Sequence, residues 1–194
     1  QALVRMTAGA LCGTDKEIIY DKLKGFHNYP TVLGHEGIGR VEAIGSKVKN
    51  FTVGDKIVLP FLDDGEEFYS TWGAFAEYAV IGDAEAMMED GHTVGDGVLT
   101  EGNLGQKKIP EGLDDVEAAM IVTYREVYST MKRLGFQKGK SLILYGAGPV
   151  GLVFITLAKY MGLSPIICVD HTEKKLESAR KCGADYTLNF DQCD

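Results

Sequence analysis

SLILYGAGPVGLVFITLAKYMGLSPIICVD, residues 141–170, fixes the fold class of the second half of the chain. An apolar run, SLILY, leads straight into a glycine-rich turn. Beyond the turn, Val150, Val153, Phe154, Leu157, Ala158 and Met161 fall at i, i+3, i+4, i+7, i+8 and i+11, which is one face of a helix. PIICVD is a second apolar run, EKKLESARKCG is helical in character, and YTLNF reads as a third strand. Strand, helix, strand, helix, strand, with near-continuously apolar strands, predicts a parallel sheet covered on both faces. A doubly wound sheet has two such halves, and only the first is visible here.

The turn itself carries chemistry. Gly146, Gly148 and Gly151 make G-x-G-x-x-G between a strand and an amphipathic helix, the context in which the motif cradles a dinucleotide pyrophosphate. The first glycine permits the tight turn, the second lets phosphate approach the backbone, and the third lets helix and strand pack closely. With Pro149 and Val150 they open the helix, whose unsatisfied N–H groups favour an anion. Asp170 ends the second strand 19 residues after Gly151, where an acid can bind both ribose hydroxyls of NAD and repel the extra phosphate of NADP. A carboxylate that merely caps the helix at HTEKK is the plainer reading of Asp170. His171 and Lys174 keep NADP open as a cofactor.

Upstream the period changes. GIGRVEAIG (37–45), KVKNFTVGDKIVLP (47–60, with a turn at Gly54-Asp55) and WGAFAEYAV (72–80) read as short strands separated by glycine turns, predicting a barrel or sandwich. Residues 81–106, rich in glycine and acids, read as a surface excursion or as a lid with His92 as a contact. Asp114 and Asp115 then stand at a helix start, and VEAAMIVTYREVYSTMKRLG predicts helix in two pieces, ending near Gly135. The domains expected are 1–113 and 114–194.

LCGTD (11–15) places Cys12 beside a hydroxyl and a carboxylate, and LGHEG (33–37) adds His35 and Glu36. Alone, Cys12 reads as a small buried hydrophobe and His35 as a structural histidine in a turn. Together they offer the thiolate and imidazole that zinc prefers, and a catalytic zinc site has three protein ligands and one open position. Phe26, Phe68, Tyr69 and Trp72 are either core or pocket lining.

A net charge of −8 argues against nucleic acid as a partner, since phosphate-backbone binding needs a basic surface. Four cysteines, at 12, 168, 182 and 193, make no C-x-x-C pair, a usage that suits a reducing compartment. No apolar run approaches the about 18 residues of a membrane span, and no signal peptide leads the chain. The expectation is a cytoplasmic protein. Gln1 stands inside a strand pattern and Asp194 soon after another, so both ends look cut.

LCGTD, LGHEG, VGDKIV (53–58), GAFAEY (73–78), KIPEGL (108–113) and LYGAGPVGL (144–152), in this order, resemble the zinc-type medium-chain dehydrogenase/reductase family, which includes alcohol, sorbitol and threonine dehydrogenases. The resemblance implies a GroES-like β-barrel catalytic domain followed by a Rossmann domain, with the active site between them. It implies that Cys12 and His35 are the first two catalytic zinc ligands and that Glu36 binds the metal or backs it. Thr14 matches the hydroxyl that relays the substrate proton, Asp15 the acid that orients the histidine, and Gly146, Gly148, Gly151 and Asp170 the cofactor fingerprint. A parent of about twice this length, assembling as a homodimer or homotetramer, is implied as well.

Four departures accompany it. Val122 occupies the place of the third zinc ligand, and valine cannot bind metal. FLDDGEEFYST (61–71) has no cysteine where many relatives bind a structural zinc, so none is expected. The 81–106 segment is longer than the usual connection, and Glu17 stands where some relatives have a relay histidine. The activity implied is NAD(P)-dependent interconversion of a secondary alcohol, polyol or sugar and its carbonyl compound. A zinc-free quinone or enone reductase of the same fold and an inactive nucleotide-binding protein are the alternatives.

Overall fold

The computed structural model describes residues 1–26 and 28–192, so Cys193 lies outside the described residues. In chain order the elements are β1 (Ala2–Ala10), α1 (Gly13–Ile19), β2 (Thr31–Val32), β3 (Glu36–Ile44), β4 (Lys56–Val58), β5 (Tyr69–Ser70) and β6 (Tyr78–Ile81). There follow α2 (Ala84–Glu89), α3 (Glu101–Gly105), β7 (Lys107–Lys108), α4 (Asp115–Ala118), α5 (Ile121–Arg133), β8 (Leu142–Tyr145), α6 (Pro149–Tyr160), β9 (Ile166–Asp170), α7 (Glu173–Cys182) and β10 (Tyr186–Asn189). They form two compact units, Gln1–Val122 and Thr123–Asp194.

In the first unit β1 and β3 are the long strands of a five-stranded sheet ordered β6-β1-β3-β4-β7, antiparallel throughout. Alternation sends Val4, Val41 and Ile57 to one face, where they pack with Ala2, Phe51 and Ile81. The opposite face carries Ile38 and Val58, which pack with Ile109, Ala118, Ala119 and Val122. Packing therefore carries the first unit through α4 to Val122, whereas the change of period alone suggests a divide at 113/114. Asp114 caps α4 by accepting from Val116 N (2.9 Å) and Glu117 N (3.3 Å). Lys56, 3% exposed, reaches across to the Leu113 carbonyl (2.5 Å) and Asp115 Oδ1 (2.5 Å), locking the covering segment to β4.

Two expectations for this unit need correction. WGAFAEYAV is a strand only from Tyr78, because Trp72 (φ 67) and Gly73 (φ 79) turn the backbone through the left-handed region. The 81–106 segment is mostly exposed, as a surface excursion would be, but it is folded into α2, α3 and their caps rather than weakly ordered. Asp83 caps α2 and also accepts from Lys49 N (2.7 Å) and Asn50 N (2.8 Å). Leu99 is fully buried, and Gln106 bonds Gly82 N (2.8 Å) and the Leu59 carbonyl (3.0 Å). Burial raises the Asp83 carboxyl, but the N–H donors of Asn50, Lys49 and Ala86 outweigh it and bring it to about 2.

The second unit has the expected order. Its sheet runs β10-β9-β8, all parallel, with α6 and α7 as the two crossovers. Consecutive right-handed crossovers in one direction lay both helices on the same face. They touch one another there, and Val153, Ile155, Ala158, Leu176 and Ala179 are buried. On β8, Ile143 is 58% and Tyr145 80% exposed in this chain, which holds only the first half of the expected sheet. The expected helix face is displaced. Val150, in the first turn, is 54% exposed, while Ile155, off that face, is fully buried. Gly183 ends α7 in the left-handed conformation at φ 111, the usual C-terminal use of glycine.

Candidate metal centre and cofactor loop

Strand register brings the two halves of the metal site together. Ala10 pairs with Glu36 and Gly9 with Gly37, so the end of β1 and the start of β3 are neighbours. Cys12 lies just past the first and His35 just before the second. α1 starts at Gly13 with Cys12 as its N-cap residue, whose N–H donates to Asp15 Oδ2 (2.8 Å). That bond explains the Asp in LCGTD locally: it satisfies an N–H at the entry to the helix. On the other side Gly34 takes φ +104, and a Cβ there would meet the Phe75 ring at 2.9 Å, so the turn that presents His35 requires glycine. The Leu33 and Gly34 carbonyls accept from Phe75 N (3.0 Å) and Ala74 N (2.9 Å), which pins the turn.

The ligand atoms of Cys12, His35 and Glu36 all lie within 4.8 Å of one another. Thr14 Oγ1 is 3.8 Å from Cys12 Sγ. His35 Nδ1 and Asp15 Oδ1 are buried without hydrogen-bond partners among the described residues and face each other at 3.8 Å, longer than a hydrogen bond. Asp15 is fully buried. Buried polar atoms are normally satisfied, so a thiol, an imidazole and a carboxyl group converging beside two atoms without hydrogen bonds fit a bound cation. Asp15 would then orient His35 from behind.

Other expected residues fall elsewhere. Val122 is 5% exposed in the apolar cluster with Ile38 and Val58. It is core and supplies no donor. Of the four aromatics, Trp72 packs on His35 (ring centroids 4.9 Å) and Phe26 packs on Trp72 (5.4 Å). Tyr69 is exposed on β5, and Phe68 lies over Gly65. His92 bonds Asp96 at 2.9 Å within the 81–106 segment. The contact of Trp72 with His35 had no sequence signal beyond the residue's presence in an aromatic stretch.

In the second unit Gly146 takes φ +99 at the end of β8, and a Cβ on Gly151 would lie 2.1 Å from the Gly146 carbonyl oxygen. Those two glycines are required by the chain's own packing. Gly148 differs. Its φ of −76 suits any residue, and a Cβ there would meet nothing within 4 Å. Space left open by the chain beside an uncapped helix start, with Pro149 at its first turn and Val150 exposed, fits a bound pyrophosphate. Asp170, 5% exposed, accepts from Ala147 N (Oδ2, 2.9 Å) and Thr172 N (Oδ1, 2.9 Å). The Ala147 N–H, first among several causes, holds this carboxyl below the ordinary range. The residue thus ties the glycine turn to β9 and caps the entry to α7, both within the chain. His171 is exposed beside it, its ring 5.8 Å from Phe190, and Lys175 Nζ stands 4.0 Å from Asp170 Oδ2.

A GroES-like barrel bearing a Cys-His-Glu cluster, joined to a βαβαβ unit with a dinucleotide turn, defines the class as a metal-site dehydrogenase fold. Known proteins agree. The family model described as alcohol dehydrogenase GroES-like domain matches residues 1–103, and that described as zinc-binding dehydrogenase matches residues 149–194. The chain belongs to the zinc-type medium-chain dehydrogenase/reductase family. It is 32% identical over 196 residues to an alcohol dehydrogenase of Geobacillus stearothermophilus, covering 97% of this chain and 56% of the relative. It is 30% identical to the sorbitol dehydrogenase of Bacillus subtilis (strain 168), covering 100% and 55%. Alcohol dehydrogenase TADH from Thermus sp. ATN1 superposes with TM-score 0.73 at 26% identity, covering 100% and 57%. Galactitol-1-phosphate dehydrogenase from Escherichia coli, at 23% identity, shares the fold with TM-score 0.76, covering 100% and 55%. The chain spans about half the length of the curated relatives it matches. Among the described residues no helix is long and apolar enough to cross a membrane.

Proposed function

We propose that this chain carries the metal-binding and first cofactor-binding parts of an NAD(P)-dependent oxidoreductase. Its reaction interconverts a secondary alcohol, polyol or sugar and the matching carbonyl compound. The reading rests above all on the convergence of Cys12, His35 and Glu36 within 4.8 Å beside the unpartnered His35 Nδ1 and Asp15 Oδ1. When bound, zinc would polarise the substrate oxygen and the nicotinamide would take the hydride.

The protein's own groups do the rest. Cys12, His35 and Glu36 would hold the ion, and Asp15 would fix the imidazole by facing Nδ1. Thr14 passes the substrate hydroxyl proton towards solvent. Gly148 admits the pyrophosphate to the start of α6, flanked by Pro149, Val150 and Gly151. Asp170 stays anionic, accepts from the adenosine ribose with its remaining lone pairs and repels a 2′-phosphate, which favours NAD over NADP. In this reading residues 1–113 form the catalytic domain and 114–194 the first half of the Rossmann domain. The partner is a small-molecule alcohol or carbonyl compound, and the full-length protein is a cytoplasmic homodimer or homotetramer.

The Cys12→Ala variant of the full-length protein tests the assignment. Elemental analysis should find the bound metal lost and turnover on alcohols and polyols collapsed, with NAD affinity within a few-fold of wild type. Normal turnover in that variant removes Cys12 from the mechanism. Val122 in the apolar core, where a third ligand was expected, favours a second reading, a metal-free reductase of the same fold. Enone reduction by protein shown to lack metal would select it.

A further inference from the structure

Trp72 is the sole tryptophan of the sequence. With Asp21 and Leu59 it is one of three non-glycine residues held at positive φ among the described residues, and it is the bulkiest of them. The chain enforces that conformation from both sides. Thr71 N donates to the Val32 carbonyl (2.9 Å), and the Trp72 carbonyl accepts from Leu62 N (2.8 Å). Gly73 follows at φ +79, where a Cβ would lie 2.2 Å from Leu62 Cβ. Glycine at 72 would meet the same backbone requirement without strain, so the tryptophan is there for its ring.

That ring lies on the imidazole of His35, centroids 4.9 Å apart at 59°, and is backed by Phe26 at 5.4 Å. The same imidazole faces Asp15 through Nδ1. His35 is therefore held by a carboxylate towards one ring nitrogen and by an indole against the ring.

We propose that Trp72 is a positioning residue of the metal centre: its indole, braced by Phe26, fixes the His35 ring in the orientation in which it ligates alongside Cys12 and Glu36. This rests on the metal reading above and adds a residue that donates nothing to the ion. Groups that orient a ligand without touching the metal typically govern affinity by about 10- to 100-fold.

Cobalt serves as the probe, on the full-length protein freed of metal by chelation. Two signals are followed together, the thiolate-to-cobalt absorption and the emission of Trp72, taken as the part of the protein's emission that Trp72→Phe removes. Wild type should take up one cobalt with emission quenched in step, and Cys12→Ser should abolish both. Trp72→Gly, which relieves the backbone, should melt no lower than wild type yet bind cobalt about tenfold more weakly. Trp72→Phe, which keeps a ring on His35, should recover most of the affinity. A folded Trp72→Gly protein with wild-type cobalt affinity overturns the inference while leaving the metal site intact. So does wild-type emission that stays constant as the absorption saturates, a result that requires no variant to fold. Absence of cobalt uptake by wild type overturns the metal reading and this inference with it.

Discussion

The candidate metal centre of the first unit and the glycine turn of the second handle buried polar groups in opposite ways. Around Cys12 and His35 the chain leaves two buried atoms, Asp15 Oδ1 and His35 Nδ1, without partners. Around Gly146–Gly151 the corresponding acid, Asp170, has both oxygens occupied by backbone N–H groups. In the first region those two atoms face each other at 3.8 Å behind the converging donors of Cys12, His35 and Glu36. The second has its acid already paired within the chain and offers a ligand open space above Gly148, an uncapped helix start and the remaining lone pairs of Asp170. The candidate metal site is thus marked by buried donors that converge, and the candidate dinucleotide turn by where the chain withholds atoms.

Four measurements would break or sharpen that contrast. The largest effect is expected for Gly151→Ala, whose methyl group collides with a backbone carbonyl oxygen that cannot step aside. The second unit should lose about 3 kcal/mol and NAD binding with it, while metal uptake by the first unit persists. Thermal unfolding followed alongside cobalt titration checks both halves of that statement. Zinc addition should act on the other region alone. At a hundredfold excess over Kd it should stabilise the first unit by about 2.7 kcal/mol, slowing hydrogen exchange in residues 10–44 about a hundredfold and leaving 142–192 unaffected. Uniform slowing through both units would dissolve the distinction.

Asp170→Asn should cost about 2 kcal/mol at neutral pH by weakening two charge-assisted hydrogen bonds. Its carboxyl lies below the ordinary range when folded, so the stabilisation is full above that range and is lost as pH falls through the lowered value. The gap between wild type and variant, read from melting temperatures, should therefore narrow on acidification below about pH 4. A constant gap would mean that the charge on Asp170 contributes little. The smallest effect is assigned to Gly148→Ala. Its φ of −76 and empty surroundings predict a stability change within about 1 kcal/mol, yet NADH binding should weaken about tenfold, as seen by fluorescence titration. Unchanged NADH affinity would show that the space above Gly148 is not where phosphate sits.

Much of this was legible in residue order. The periodicity after Gly146 sets α6, and the two-piece helix ending at Gly135 appears as α4 and α5. The ligand atoms of Cys12, His35 and Glu36, named from LCGTD and LGHEG, lie within 4.8 Å of one another. The misreadings share a cause. Aromatic and small residues in 72–80 carry strand propensity, but the hydrogen bonds that turn Trp72 and Gly73 come from Val32 and Leu62, far away in sequence. The 81–106 segment has weak periodicity because a few polar anchors hold it rather than an apolar stripe. Asp83 and Gln106 are satisfied by backbone groups of other elements.

The sequence by itself determined the βαβαβ order, the glycines that only a tight turn accepts and the donor types of a zinc site, because backbone sterics and ligand chemistry act locally. Tertiary structure alone decided that β1 and β3 would pair in the register that brings Cys12 to His35, that an indole would lie on that imidazole and that Val122 would be core. Those outcomes depend on which buried surfaces and backbone groups satisfy one another across the whole unit, a sum that no short stretch contains.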